Sequence, residues 1–223
     1  MEMIALYILI LIIPTIAHFC IMSNYSKYKN INNKKELTGF DVAREILDKN
    51  GMADMYIVET HGELTDHYDP TKKVVTLSSD VFHGNSISAV SIAAHESCHA
   101  IQDKENYKWL KMRTSMFPIV RFLTYAAYIT FIISVILQMA DALALSIVLV
   151  TISLVFQIIT LPVEFDASKR AMKKLKEYDM VDKKEYDGVE KMLRSAAMTY
   201  VASVLSSLLN LFRLIMIYAN RDR

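Results

Sequence analysis

The 223-residue chain lacks several features by which whole classes of protein are recognised. Its two cysteines, Cys20 and Cys98, are too few for the disulfide framework of a small secreted domain. Its formal net charge is only +1, and no basic patch carries interleaved aromatic residues, so we expect no nucleic-acid partner. No internal repeat or low-complexity tract is present. Apolar residues make up 53% of the chain, enough for one ordinary domain plus membrane spans.

Three uncharged runs in the first three quarters of the chain predict membrane helices. Residues 3–22 suit one span, and we interpret them as a retained anchor. A signal peptide would begin with positive charge and offer a cleavage site of small residues, whereas this segment begins with Glu2. Residues 122–140 and 142–163 are separated only by Asp141 and predict a membrane hairpin.

The last apolar run, residues 195–212, permits two interpretations. Its small polar residues recur at helical spacing, which favours a fourth membrane helix packed through that face. The alternative is an amphipathic helix in the membrane interface, because Arg213, Arg221 and Arg223 follow the run. The sequence therefore predicts three to four transmembrane helices.

Short β-type runs lie between the first and second apolar runs. They cover residues 55–60, 64–68 and 74–77, and turn signals at 61–62 and 69–71 separate them. This pattern predicts a small antiparallel meander. Such a sheet exposes an edge strand, which can receive an extended peptide as an added strand.

A metal-binding motif follows the predicted sheet. Residues 86–102 contain no Gly or Pro and predict a buried helix capped by Ser86. His95 and His99 are four residues apart, so both imidazoles project from one helix face and can bind one ion. Glu96 points about 100° away around the axis, where it can reach a metal-bound water without ligating the metal. This H-E-x-x-H arrangement is typical of zinc peptidases.

The two histidines leave a catalytic zinc one protein ligand short of the usual three. We favour Glu164, the only acidic side chain on an apolar stripe of small residues in the helix predicted for 164–178. The two spans of the hairpin return the chain to its starting side, so Glu164 and His99 would lie on the same side of the membrane. The other candidates are His61, His67, His83, Asp66 and Asp69.

At this point the residues resemble a known family. Residues 62–70, 94–102 and 161–168 are similar to the bacterial YugP-type membrane zinc metallopeptidases, and the likeness runs over nearly the whole chain. The arrangement is more distantly similar to HtpX and the CAAX prenyl proteases, whose third ligand is the Glu of a Glu-x-x-Ala-Asp motif. The resemblance implies one catalytic Zn²⁺ with Glu96 as the base, and it implies as ligands His95, His99 and Glu164.

Three further residues are candidates for supporting roles. Ser168 stands where HtpX-like enzymes carry the Asp of their motif, so it is a candidate for orienting one of the ligand histidines. His67 and Tyr68 lie on the predicted sheet just ahead of the metal-binding helix. Either could contact the substrate or help to hold the oxyanion.

These elements predict an α+β membrane protein that is mostly helical, with a small antiparallel β meander before the H-E-x-x-H helix. The expected organisation comprises, in order, an anchor, a cytosolic metallopeptidase part, a membrane hairpin, a third-ligand helix and a C-terminal membrane helix. Their respective bounds are 1–23, 24–116, 117–163, 164–194 and 195–223.

The expected function is that of a membrane-embedded zinc metalloendopeptidase acting on a protein or peptide at the lipid bilayer. Basic segments at 27–35, 108–121 and 169–176 flank the spans on the side of the metal motif, which predicts a cytoplasmic active site in a bacterial plasma membrane. The alternative is a membrane protein with a structural or regulatory zinc, although such a site has no use for Glu96. A transporter is not favoured, since the spans carry few ionisable residues.

Overall fold

The computed structural model describes the backbone of residues 2–220 and the side chains of residues 4–220, so Arg221 and Arg223 lie outside the described residues. Within this range the chain forms seven helices and three strands. The helices are α1 (Glu2–Lys29), α2 (Gly39–Lys49), α3 (Ser79–Phe82), α4 (Ile87–Lys104), α5 (Lys108–Ile136), α6 (Ala140–Glu177) and α7 (Tyr186–Ala219). The strands are β1 (Tyr56–Thr60), β2 (His67–Asp69) and β3 (Val74–Ser78).

Four of the helices are long and apolar enough to cross a membrane, namely α1, α5, α6 and α7. The prediction of a mostly helical protein with three to four such helices is confirmed. The break within the hairpin lies at residues 137–139, not at Asp141 as the sequence suggested. Asp141 belongs to the first turn of α6, where its negative charge is favourable beside the free N–H groups of the helix N-terminus.

The predicted strands form one sheet, but the antiparallel meander is wrong in one pairing. The strand order is β1-β3-β2, with β2 antiparallel and β1 parallel to β3. The most buried strand, β3, takes the centre, and the more exposed β1 and β2 lie at the edges. Asp66 fixes the link between the edge strands, since its carboxylate accepts hydrogen bonds from the N–H and hydroxyl groups of Ser78.

Two compact units can be distinguished. The mixed unit comprises residues 19–111 and 163–198, and the helical unit comprises residues 1–18, 112–162 and 199–223. The core of the mixed unit joins α2, α4, β3 and α6 through fully buried residues such as Leu47, Ala94 and Ala171. Small residues on α4 and α6 allow neighbouring elements to approach closely. Polar side chains on these two helices can therefore lie in the interior.

The helical unit is held by polar contacts between apolar helices. Ser206 donates a hydrogen bond to the carbonyl of Ile10 at 2.7 Å, and Ser207 donates to Oε1 of Gln157 at 2.9 Å. These contacts fit the prediction that the last apolar run packs through a face of small polar residues.

Candidate metal centre

The two histidines of the H-E-x-x-H motif lie side by side on α4. The hydroxyl of Ser86 caps this helix by accepting a hydrogen bond from the N–H of Ala89 at 3.2 Å, as the sequence predicted. The rings of His95 and His99 lie edge to face, with their centroids 4.7 Å apart. His99 is buried and the His95 side chain is only 12% exposed, so both imidazoles lie in a largely water-free setting.

The Glu164 carboxylate meets these imidazoles from α6. Its Oε2 lies 3.2 Å from Nε2 of His95 and 3.7 Å from Nε2 of His99. The residue is only 2% exposed. A buried carboxylate is unfavourable unless positive charge or donors compensate it, which explains why it lies beside two imidazoles.

The donor set fits a zinc ion. One ligand atom from each of the three residues can be chosen so that all lie within 4.8 Å of one another. A tetrahedral zinc with bonds of about 2.0–2.2 Å needs ligand atoms roughly 3.3–3.6 Å apart, close to the separations measured from Glu164. Two imidazoles and a carboxylate also form one of the usual ligand sets of a catalytic zinc, which keeps one position open. The cluster is therefore a plausible metal site.

The carboxylate of Glu96, the residue that follows His95, is held by the backbone of β2. Its Oε2 accepts a hydrogen bond of 2.9 Å from the N–H of Tyr68. The Tyr68 hydroxyl in turn donates to Asp103 at 2.7 Å. Burial raises the pKa of the Tyr68 hydroxyl, and the hydrogen bond to Asp103 raises it further, so this phenol stays protonated. The edge strand and the metal-binding helix are thus joined at the residue that follows the first histidine.

The remaining sequence candidates have other partners. Ser168 has its hydroxyl 3.3 Å from Nδ1 of His95, a position from which it can orient that ring. His67 is exposed, with Nδ1 2.8 Å from the carbonyl of Thr65. Of the other candidates for the third ligand, His83 pairs with Glu59, Asp66 binds Ser78, Asp69 accepts from Thr71 and Lys72, and His61 is exposed.

A buried hydrogen-bond chain behind His99 was missed by sequence reasoning. Gln102 is fully buried, and its Oε1 lies 2.9 Å from Nδ1 of His99. Its Nε2 donates to the carbonyl of Val163 and to Asp166. Asp166 also accepts from Arg170 at 2.5 Å. The available signal was the spacing of three residues between His99 and Gln102, which puts both on one helix face.

The comparison with known families agrees with this geometry. A family model described as "Putative neutral zinc metallopeptidase" matches residues 3–219. The chain belongs to this family. A relative in Bacillus subtilis (strain 168), "Putative membrane protease YugP", is 43% identical over 204 residues, which cover 92% of this chain and 91% of the relative. No solved structure matches the chain. The predicted resemblance to YugP-type metallopeptidases is confirmed, and membership of the zinc metallopeptidase family implies zinc as the metal.

Proposed function

We propose that the protein is a membrane-embedded zinc metalloendopeptidase that cleaves a protein or peptide substrate. The observation that carries this proposal is the convergence of ligand atoms of His95, His99 and Glu164 within 4.8 Å. Glu96 follows His95 in the chain and is fixed by the N–H of Tyr68. His95, His99 and Glu164 would hold one catalytic Zn²⁺. A structural zinc site usually fills its fourth position with Cys or His, and no such fourth residue belongs to the cluster found among the described residues.

Glu96 is the proposed general base. When bound, zinc lowers the pKa of a water toward neutrality and polarises the scissile carbonyl. Glu96 takes one proton from the attacking water and then delivers it to the nitrogen of the leaving amine as the peptide C–N bond breaks. The N–H of Tyr68 orients the carboxylate through one oxygen, Oε2, which leaves Oε1 available for the proton.

The sheet offers a place for the substrate. The edge strand β2 carries His67 and Tyr68, and it lies against the motif helix through the bond from Tyr68 to Glu96. An extended peptide can add to such an edge by main-chain hydrogen bonds, which would bring its carbonyl groups toward the metal centre. His67 is exposed on this strand and is a candidate for contact with the substrate.

The test is cleavage of an unfolded protein substrate by purified protein loaded with zinc. Glu96→Gln keeps the shape of the side chain but cannot accept the proton, so we expect about a 10²–10⁴-fold loss of kcat with zinc still bound. Glu45→Gln is the matched control, because it makes the same change in a carboxylate that pairs with Lys49 on α2. Undiminished turnover by Glu96→Gln would remove the base assignment. Absence of cleavage by the wild-type protein would favour the structural or regulatory zinc.

The proposed location is a bacterial plasma membrane with the active site on the cytoplasmic side. Four helices are long and apolar enough to span, and basic segments flank the predicted spans on the side of the metal motif. Reporter fusions after residue 35 and at residue 141 test this topology. We expect a cytoplasmic signal after residue 35 and an external signal at residue 141, and a cytoplasmic signal at 141 would contradict the proposed arrangement.

A further inference from the structure

Gln102 is surrounded by groups that fix which way its amide points. Its two amide atoms face opposite sides: Oε1 is 2.9 Å from Nδ1 of His99, while Nε2 is 2.9 Å from the carbonyl oxygen of Val163 and 2.8 Å from Oδ2 of Asp166. The side chain is fully buried, so no solvent molecule competes for these positions.

Only one orientation of this amide is compatible with its neighbours. A carbonyl oxygen can only accept hydrogen bonds. The Asp166 carboxylate likewise acts as an acceptor here, since it already receives a hydrogen bond of 2.5 Å from the guanidinium of Arg170. A flipped amide would place the Gln102 oxygen against both of them and leave its NH₂ group facing His99. The NH₂ group therefore faces Val163 and Asp166, and the oxygen faces His99.

This orientation determines the tautomer of His99. The Gln102 oxygen is an acceptor only, so Nδ1 of His99 must carry the hydrogen that it donates. In the neutral ring, the lone pair then lies on Nε2, the nitrogen that is 3.7 Å from Glu164. The imidazole is thereby prepared to ligate through Nε2 before any ion arrives.

We propose that Gln102 is the positioning residue for His99, and that Asp166 and Arg170 act behind it by holding the amide in place. Arg170 is itself fixed by Glu105, at 2.6 Å from Nη1, so the chain extends from the metal centre to an exposed ion pair. His95 is supported differently: the Ser168 hydroxyl beside its Nδ1 can donate or accept, so it does not select a tautomer. This inference rests on the proposed function, in which His99 is a zinc ligand.

The first experiment measures zinc affinity by competition with a coloured chelator. Gln102→Met keeps the length of the side chain but removes the acceptor, so we expect zinc affinity about 10–100-fold weaker than wild type. Ser97→Ala is the matched control: Ser97 is also fully buried on α4, and its hydroxyl bonds only to the carbonyl of Ala93 in its own helix. This control should bind zinc within about twofold of wild type. Equal affinities in the two variants would overturn the proposal.

The second experiment reads the tautomer directly and requires no variant at Gln102. In zinc-free wild-type protein labelled with ¹⁵N-histidine, the signals of His99, identified by their loss in His99→Gln, should show hydrogen on Nδ1, the nitrogen that faces Gln102. A bare Nδ1 would overturn the proposal even if Gln102→Met fails to fold. Loss of a fixed tautomer in a folded Gln102→Met protein would support it further, because a purely structural role would leave the ring unchanged.

These measurements separate this inference from the proposed function. Neither zinc affinity nor the tautomer depends on peptide cleavage, so an inactive wild-type protein would remove the peptidase proposal while leaving the role of Gln102 to be decided. Conversely, active protein in which Nδ1 of His99 carries no hydrogen would retain the peptidase and reject the positioning role.

Discussion

The mixed unit and the helical unit differ in where their large apolar side chains lie. In the mixed unit, the core residues of α2, α4, β3 and α6 are almost entirely buried, and Leu47 is 0% exposed. In the helical unit, large apolar side chains face outward, including Phe122 at 71% and Ile136 at 70% exposed. Exposed apolar surface of this extent marks an interaction site or a membrane-facing surface. The outward-facing apolar side chains of the helical unit belong to helices that are long and apolar enough to cross a membrane.

Polar groups follow the same division. Ionisable side chains are numerous in the mixed unit, where ion pairs such as Lys34 with Asp182 join distant segments of the chain. In the helical unit, the polar contacts between helices include hydroxyl and amide groups, as in the pair of Ser207 with Gln157, and one guanidinium, that of Arg213, which lies over the rings of Tyr7 and Phe131. Most of the ion pairs therefore belong to the mixed unit, and the candidate metal site of His95, His99 and Glu164 lies there as well.

The largest expected contrast is in packing energy. Leu47→Ala removes a fully buried side chain from the core of the mixed unit and should lower the free energy of unfolding by about 2–5 kcal/mol. Leu208→Ala makes the same change at a side chain that is 51% exposed in the helical unit. Its free energy of unfolding should stay within about 0.5 kcal/mol of the wild-type value. Denaturant unfolding in detergent measures both. Equal effects would contradict the contrast between a buried core in one unit and an exposed apolar surface in the other.

A smaller effect concerns pH. Burial raises the pKa of the Asp66 carboxyl, and the hydrogen bonds from Ser78 only partly offset this. As pH rises above the ordinary Asp value of about 3.9, the unfolded chain loses this proton first, so the free energy of unfolding falls until the raised folded pKa is passed. Asp66→Asn stays neutral and can keep both bonds to Ser78.

Zinc-free Asp66→Asn protein should therefore gain stability relative to wild type as the pH increases from about 4 toward neutrality. The measurement is the difference between the two thermal unfolding midpoints across this range. A difference that does not change with pH would mean that the folded environment leaves the ionisation of Asp66 unperturbed.

The parts of the fold that could be predicted were those that depend on the spacing and type of residues close together in the sequence. The motif helix and its Ser86 cap follow from spacing and residue type, and the approach of Glu164 to the histidines follows from one acidic residue on an apolar stripe. The parallel pairing of β1 with β3 could not be predicted, because the order of strands in a sheet depends on contacts between segments. Asp141 was misplaced because a charged residue can either end an apolar helix or begin the next one.

The hydrogen bonds that support His99 show why the rest of the site could not be predicted from the sequence. Gln102 was close to the motif in sequence, but its partners Val163 and Asp166 lie 61 and 64 positions further along the chain. Asp166 and Arg170 are four residues apart and share one helix face, but the sequence does not show that Asp166 also accepts a hydrogen bond from a buried amide. A helical pattern identifies a face, and only the packed structure identifies what meets it.

The central claim is that His95, His99 and Glu164 together hold one zinc ion, and metal content after dialysis against a weak chelator tests it most directly. We expect one zinc per chain in wild-type protein and in Ser97→Ala. Glu164→Ala should lose more zinc affinity than the roughly 10–100-fold that removal of a supporting partner costs. X-ray absorption of the wild-type protein should show two imidazole nitrogens and an oxygen ligand at about 2.0–2.2 Å. Full zinc occupancy in a folded Glu164→Ala protein would contradict this account.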